Sequence, residues 1–195
     1  MGKCVYPKPL FAGKVILGID VAENDAKVYF KVSDKLTNGE AFDPAKHRSI
    51  IAAESHEVLN IARGLEIYDR EGYEKFCEFA KRINPTGFAG TLMFFHRNTD
   101  KSTGSGWGIA IKKDSNGTCK ISFSINQNGG EAGKVGRSFP VEYPILLKFQ
   151  LLCVRAAEAA IDNELELEGA KRKELFNIHQ EKQAVKARQV PPPGM

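Results

Sequence analysis

Two runs near the start of the chain decide its fold, VILGIDV at residues 15–21 and AKVYFKVS at residues 26–33. Both are rich in β-branched and aromatic side chains, and the Glu-Asn-Asp sequence between them is typical of a turn, so together they predict a β-hairpin. Because side chains alternate between the two faces of a strand, Lys27, Tyr29 and Lys31 share one face of the second run, opposite its valines and phenylalanine. The apolar face is expected in the core, which leaves the other face available for binding.

The rest of the chain extends this hairpin into a repeated order of strands and helices. Helical spacing of apolar residues begins after Ser55, a candidate N-cap, resumes at residues 73–83, and returns in a long helix that opens at Pro144. The further strands predicted from alternation and turn signals are residues 36–42, 48–53, 88–97, 107–112, 118–126 and 137–143. The expected fold class is α+β, with two four-stranded antiparallel sheets each followed by a helix, plus a charged helical C-terminal tail.

The end of the chain differs in charge from the part before it. Residues 158–168 contain five acidic and no basic side chains, whereas residues 170–189 contain six basic and two acidic ones. The second segment has too few apolar residues to fold without a partner surface. We therefore expect an α+β domain over residues 1–162 and a charged helical tail with a proline-rich end over residues 163–195.

Composition argues against several classes of protein. The formal net charge of +4, with 42% hydrophobic and 27% charged residues, is typical of a globular protein with a mild basic excess. The sequence contains no apolar run long enough for a membrane helix and no signal-peptide pattern at its start, so we expect a cytoplasmic protein without a membrane partner. Its four cysteines form no Cys-x-x-Cys pair and are expected to be free thiols packed in the core.

The sequence contains no pattern typical of an enzyme. GSGWG at residues 104–108 is followed by strand-like sequence instead of a helix, so its glycines predict a hairpin and not a phosphate-binding loop. The four histidines stand at no metal-ligand or relay spacing, and no nucleophile elbow or paired-acid signature is present. We expect no enzyme, no cofactor and no metal. A second glycine-rich segment, residues 127–136, predicts a mobile loop.

Basic side chains interleaved with aromatic ones on the predicted strands indicate a surface for single-stranded nucleic acid. Such a strand is held by a positive groove along its backbone and by aromatic faces on which its bases stack, each stack contributing ~1–3 kcal/mol. The predicted stacking platforms are Tyr29, Phe95 and Trp107. The predicted phosphate contacts are Lys14, Lys27, Lys31, Arg97, Lys112, Lys113, Lys120 and Arg137. The alternative is that the aromatics belong to the core and the lysines only keep the protein in solution.

Several segments resemble the Whirly and PUR-type single-stranded nucleic-acid binders. Residues 12–17 (AGKVIL) resemble the lysine-glycine-lysine motif on the first Whirly strand, with alanine in place of the first lysine. Residues 42–58 resemble the strand that leads into the Whirly helix, and residues 121–126 and 139–149 resemble its closing strands and helix. The resemblance implies two sheets packed roughly crosswise, binding of single-stranded DNA, and helices that assist assembly into a homo-oligomer.

The overall build also resembles small bacteriophage proteins that bind single-stranded DNA and act as RNA-polymerase cofactors. This resemblance implies a role in transcription or replication in the host cytoplasm, with RNA polymerase as a partner. An adaptor that docks onto a polymerase or replication complex, with nucleic acid incidental, is the alternative. The tail is expected to contact the acidic stretch of another subunit or the DNA backbone, unless it is only a solvated end. No motif distinguishes DNA from RNA.

Overall fold

The computed structural model describes residues 10–13, 15–22, 26–34, 48–97, 104–129 and 133–189. These residues form antiparallel sheets and three helices, which confirms the α+β class. The elements in chain order are β1 (Leu10–Ala12), β2 (Val15–Val21), β3 (Val28–Asp34), β4 (Arg48–Ala53), α1 (Ser55–Glu71), α2 (Tyr73–Ile83), β5 (Thr91–Arg97), β6 (Gly104–Lys113), β7 (Cys119–Gly129), β8 (Gly133–Pro140) and α3 (Tyr143–Gln189).

The first sheet has the strand order β1-β2-β3-β4. Its two central strands are the predicted hairpin strands, paired in a register that sets Ile19 opposite Phe30 and Asp20 opposite Tyr29. The alternation predicted for β3 is confirmed, because Val28, Phe30 and Val32 are fully buried. The strand predicted at residues 36–42 lies outside the described residues, and the three-residue strand β1 has no counterpart among the predicted strands.

The second sheet has the strand order β5-β6-β7-β8. Strand β6 begins at Gly104, so the glycines of GSGWG lie within a strand and not in a turn. The loop predicted at residues 127–136 is wrong at both ends, because β7 continues to Gly129 and β8 begins at Gly133, directly opposite. Pairing between the two strands there outweighs the low strand propensity of glycine.

The two sheets pack together through an aromatic cluster. The ring of Phe30 stacks on Trp107 with 5.2 Å between centroids and contacts Phe123 at 4.9 Å. Phe149 of α3 meets Phe123 edge-on at 5.5 Å. Since the inner faces of the sheets meet at this cluster, their outer faces point away from each other, on opposite sides of the molecule.

Two helices follow the first sheet, where the expected fold class counted one, and the second of them, α2, matches the helical pattern predicted at residues 73–83. Glu54, and not Ser55, is the N-cap of α1, and its backbone N–H donates to the Glu57 carboxylate at 3.1 Å. The chain breaks between α1 and α2 at Gly72, whose positive φ of 91° is readily adopted by glycine. The expected arrangement of two four-stranded sheets with one helix after each is therefore wrong in this detail.

The third helix belongs half to the body and half to the tail. Pro144 lies in its first turn, as predicted, and one face of its first half is buried, mainly against α1 and also against the first sheet, with Cys153 and Ala160 fully enclosed. The last buried side chain is Asn163, whose amide donates to the carbonyl of Ala22 at 3.2 Å. At ~1.5 Å per residue the 47-residue helix is about 70 Å long. It passes without a break through the domain boundary predicted at residue 162.

We expect Phe30→Ala to lower the free energy of unfolding by about 3–5 kcal/mol, because it removes the ring on which Trp107 and Phe123 pack. Denaturant unfolding monitored by circular dichroism measures the change. Phe88→Ala is the matched control, since the Phe88 side chain is 86% exposed and its removal should change stability by less than about 0.5 kcal/mol. Equal effects of the two substitutions would contradict this account of the core.

Candidate nucleic-acid interface

The outer face of the second sheet is flat because its side chains are small. In β6 and β7 the residues that alternate with the buried ones include glycine, alanine and serine. We call this surface the small-residue face, and its central positions are Gly106, Gly108, Ala110, Ser122 and Ser124. The hydroxyl groups of Ser124 and Ser138 hydrogen-bond across β7 and β8 at 2.8 Å. Gly106 and Gly108 are themselves buried, whereas Ala110, Ser122 and Ser124 are partly exposed to solvent.

The glycines of β6 are required by the neighbouring strand. Gly108 has a φ of 150°, and a Cβ there would collide with the carbonyl oxygen of Leu92. A Cβ on Gly106 would lie 2.9 Å from the ring of Phe95, which occupies the opposite position on β5. The Phe95 ring thus lies against the Gly106 backbone with 70% of the residue exposed. An aromatic face held in this way is accessible to a planar ligand.

Positive charge lies at the other end of the same face. Lys112 and Lys120 are directly opposite each other in the register of β6 and β7, and both are exposed. Like charges at directly opposed positions repel, so a bound anion would stabilise this pair. Lys112 is six residues along β6 from Gly106, which lies directly opposite Phe95. At ~3.3 Å per residue, Lys112 is therefore about 20 Å from the Phe95 position.

None of the described side chains on this face of the four strands is acidic. Two further basic residues, Arg97 and Lys134, hold register positions opposite Gly104 and Asn128. Their backbones are described and their side chains are not. Within the described part of the second sheet, the outer face is therefore of one charge sign.

The outer face of the first sheet has a different electrostatic character. The ammonium group of Lys31 forms an ion pair with Asp20, which neighbours it across β2 and β3. Lys27 pairs with Glu54 at 3.2 Å, and Tyr29 between the two lysines is half-buried. These three predicted site residues are brought together, but a carboxylate of the same chain neutralises each lysine. They lie on the opposite side of the molecule from Phe95.

Trp107 is not a stacking platform, which corrects the sequence prediction. Its side chain is fully buried, stacked on Phe30 and packed against Phe94 with 5.2 Å between ring centroids. Trp107 and Lys112 lie on opposite faces of β6, and Trp107 shares the inner face with Ile109 and Ile111. Trp107 is an even number of residues from both isoleucines, and this spacing is the sequence signal that assigns Trp107 to the core.

Two other predicted contacts, Lys113 and Arg137, are not part of the small-residue face. Lys113 lies on the inner side of β6, where it binds the Glu74 carboxylate at 2.9 Å and lies over the Tyr73 ring. The bond to Glu74 raises the pKa of Lys113. Arg137 is half-buried directly opposite the fully buried Ile125, and it also has an interaction partner. Lys14 lies outside the described residues.

The sequence analysis missed the polar residues of the small-residue face. Asn126 and Ser138 are exposed there, and Lys134 holds a position in β8. The strict alternation of residues 118–126 contained the signal, because the residues between its apolar side chains are Lys120, Ser122, Ser124 and Asn126. The loop predicted over residues 127–136 includes Lys134, so the sequence pattern did not assign Lys134 to a strand or to a sheet face.

A groove of about 340 Å³ lies beside the turn between β6 and β7. It is lined by the tyrosines Tyr68, Tyr73 and Tyr143, with Lys113 and Cys119 at its wall. Burial, together with a hydrogen bond to Cys119, raises the pKa of Tyr68 to about 12. The Tyr68 phenol therefore keeps its proton across the physiological range.

In the ranges that the structure describes, no group of three or more His, Cys, Asp or Glu side chains is placed to hold a metal ion. The Nε2 atom of His96 is 2.9 Å from the carboxylate of Glu57, the residue that also accepts the cap bond of α1. No helix of the described residues is long and apolar enough to cross a membrane. Cys77 and Cys119 are half-buried free thiols, and Cys153 is a buried one.

A scan against protein-family models finds no match, and a search of the curated proteins finds none. The functional argument therefore depends on the geometry of the surfaces described above.

We expect Tyr68→Phe to remove the highest-pH step from the titration of tyrosinate absorbance. The folded pKa of about 12 exceeds the ordinary value of 10, so the stability linked to this proton is present below pH 10 and is lost as the pH rises through about 12. The matched variant Tyr143→Phe, at an exposed position, should leave that step in place. Loss of the step in both variants would show that Tyr68 is not its origin.

Proposed function

We propose that this protein binds single-stranded DNA, without chemistry and with low sequence specificity, on the small-residue face. The observation that carries the proposal is the combination of an exposed aromatic ring, Phe95, with the opposed lysines Lys112 and Lys120 on one flat surface whose described side chains include no acid. A positive track and an aromatic platform on one sheet are the two components that a single strand requires. The first sheet supports the proposal less well, because its lysines are ion-paired.

The mechanism assigns a separate role to each part of the face. Phosphates lie against Lys112 and Lys120, where they relieve the repulsion between the two ammonium groups and release bound counterions. One base stacks on the Phe95 ring, and the small, partly exposed side chains of Ala110, Ser122 and Ser124 let neighbouring bases approach the sheet. Stacking requires an unpaired base, so single strands bind more tightly than duplex DNA. Because every base has a π-face, the contact is tolerant of sequence.

The resemblance to Whirly and PUR-type binders supports the same conclusion from the sequence. These proteins use repeated units of strands followed by a helix, and the order of elements here is a variant of that plan. The further resemblance to phage cofactors of RNA polymerase extends the proposal to a role in transcription or replication in a host cytoplasm, with RNA polymerase as a protein partner. An adaptor with nucleic acid incidental is the competing function, and a salt series of DNA binding separates the two.

We expect Phe95→Ala to weaken binding to a single-stranded oligonucleotide by ~5- to 150-fold, the equivalent of losing one base stack of ~1–3 kcal/mol. Fluorescence anisotropy with single-stranded DNA, duplex DNA and RNA of equal length measures the change. Phe88→Ala is the matched control, because Phe88 is exposed on the connection between α2 and β5, away from the sheet face. If both substitutions have the same effect, or if duplex affinity falls equally, Phe95 is not a stacking platform.

We expect the double variant Lys112→Glu with Lys120→Glu to reduce the slope of log affinity against log salt by about 1.4, since each phosphate contact on a single strand contributes ~0.7. The control changes the same net charge at Lys75 and Lys81, which are exposed on α2. The control should retain the wild-type slope. Binding that depends on salt only weakly in the wild-type protein, or an unchanged slope in the double variant, favours the adaptor function.

A further inference from the structure

The second half of α3 contributes no described side chain to the buried core beyond Asn163. The exposed side chains there include Leu175 at 66% and Phe176 at 62%. The helix nevertheless continues to Gln189, about 39 Å past the body at ~1.5 Å per residue. Helices in proteins gain most of their stability from packing of an apolar face, and isolated helices are only marginally stable. We therefore expect an extension of this kind to lie against another surface.

Charge is divided along this extension into two halves of opposite sign. The five acidic side chains of residues 158–168 precede the six basic ones of residues 170–189. Within one helix only residues three or four apart can pair, and Arg172 with Glu168 at 3.5 Å is such a pair across the boundary. Apart from Glu168, which is three residues from Lys171 and four from Arg172, the acidic side chains of residues 158–168 are at least five residues from the basic ones and cannot meet them along one helix. A second helix running in the opposite direction brings them together.

The spacing of residues along the extension fits such a pairing. Alternate steps of three and four residues, the spacing of a coiled-coil seam, connect one set of positions along a single stripe of the helix. These positions are Ile161, Leu165, Glu168, Arg172, Leu175 and His179. The set is symmetric about Ala170, so that an antiparallel copy places Leu165 opposite Leu175 and Glu168 opposite Arg172. A parallel copy would instead place Glu168 against Glu168.

We propose that two copies of this chain associate through antiparallel pairing of residues 161–179 of α3, centred on Ala170. Leucines of the two helices form the apolar contacts, and Glu164 and Glu168 of each copy pair with Lys171 and Arg172 of the other. Gly169 has open space where a Cβ would be and allows close approach of the helices at the centre. A polyanion is a poorer occupant of this surface, because the acidic half would repel it and Leu165, Leu175 and Phe176 would stay exposed. The pairing is independent of the proposed DNA contact on the sheet.

The test uses the full chain and two charge-reversed variants. One variant carries Glu164→Lys with Glu168→Lys, and the other carries Lys171→Glu with Arg172→Glu. All four side chains are exposed and outside the core, so circular dichroism and thermal unfolding should confirm an unchanged body. Light scattering coupled to size-exclusion chromatography then measures the mass over a range of protein concentrations.

We expect the wild-type protein to have about twice the 21.5 kDa mass of one chain and each variant alone to have half the wild-type value. An equimolar mixture of the two variants should recover the wild-type mass, because each supplies the charges that the other lacks. A protein that carries all four changes should also have the wild-type mass. The charge control at Lys75 and Lys81 should keep the wild-type mass.

Three outcomes would overturn the proposal. The first is a wild-type protein that remains a monomer, and the second is an oligomer whose mass is unchanged by both charge reversals. The third is a mixture that stays monomeric, because restored complementarity would then have no effect. A monomer in which the Lys171→Glu and Arg172→Glu changes weaken DNA binding would assign the tail to the DNA backbone instead. The oligonucleotide affinity of Phe95→Ala is measured separately, so failure of either proposal is distinguishable from failure of the other.

Discussion

The contact between Phe30 and the rings of Trp107 and Phe123 determines how the rest of the molecule is arranged. It joins the middle strand of one sheet to the middle strands of the other, and Phe149 adds the third helix to the same cluster. Once these rings face each other, the opposite face of each sheet must look outward. The two surfaces that could bind a ligand are therefore separated by the whole thickness of the core.

This separation explains why the candidate site is smaller than the set of residues from which it was inferred. Local alternation correctly predicted the buried side of β3, and the proline in the first turn correctly located the start of α3. These features depend only on a short period in the sequence, which single-sequence reasoning can read. The prediction for Trp107 is wrong because it considered only the nearby lysines. The alternation of β6 places Trp107 on the same face as Ile109 and Ile111.

Other parts of the site depend on contacts that the local pattern does not contain. Asp20 is 11 positions from Lys31, and Glu74 is 39 positions from Lys113, so their ion pairs arise only when separate elements meet. Such pairs decide which ammonium groups are available to a ligand, since an ammonium beside a carboxylate contributes little to attracting a phosphate. The glycines of β6 are a second case, because the steric reason for them is a carbonyl oxygen and a ring on β5.

The burial of Cys153 has a practical consequence for anyone handling this protein. Burial raises the pKa of this thiol far above its ordinary value, and only the thiolate reacts readily with alkylating reagents. Cys77 and Cys119 are half-buried and become accessible through smaller movements. Alkylation of Cys153 therefore requires the packing around α3 to open, and the modification rate at this one sulfur records how often the body of the protein opens. The alkylation rate of Cys153 thus reports global opening, and the thiols of Cys77 and Cys119 serve as faster-reacting internal references.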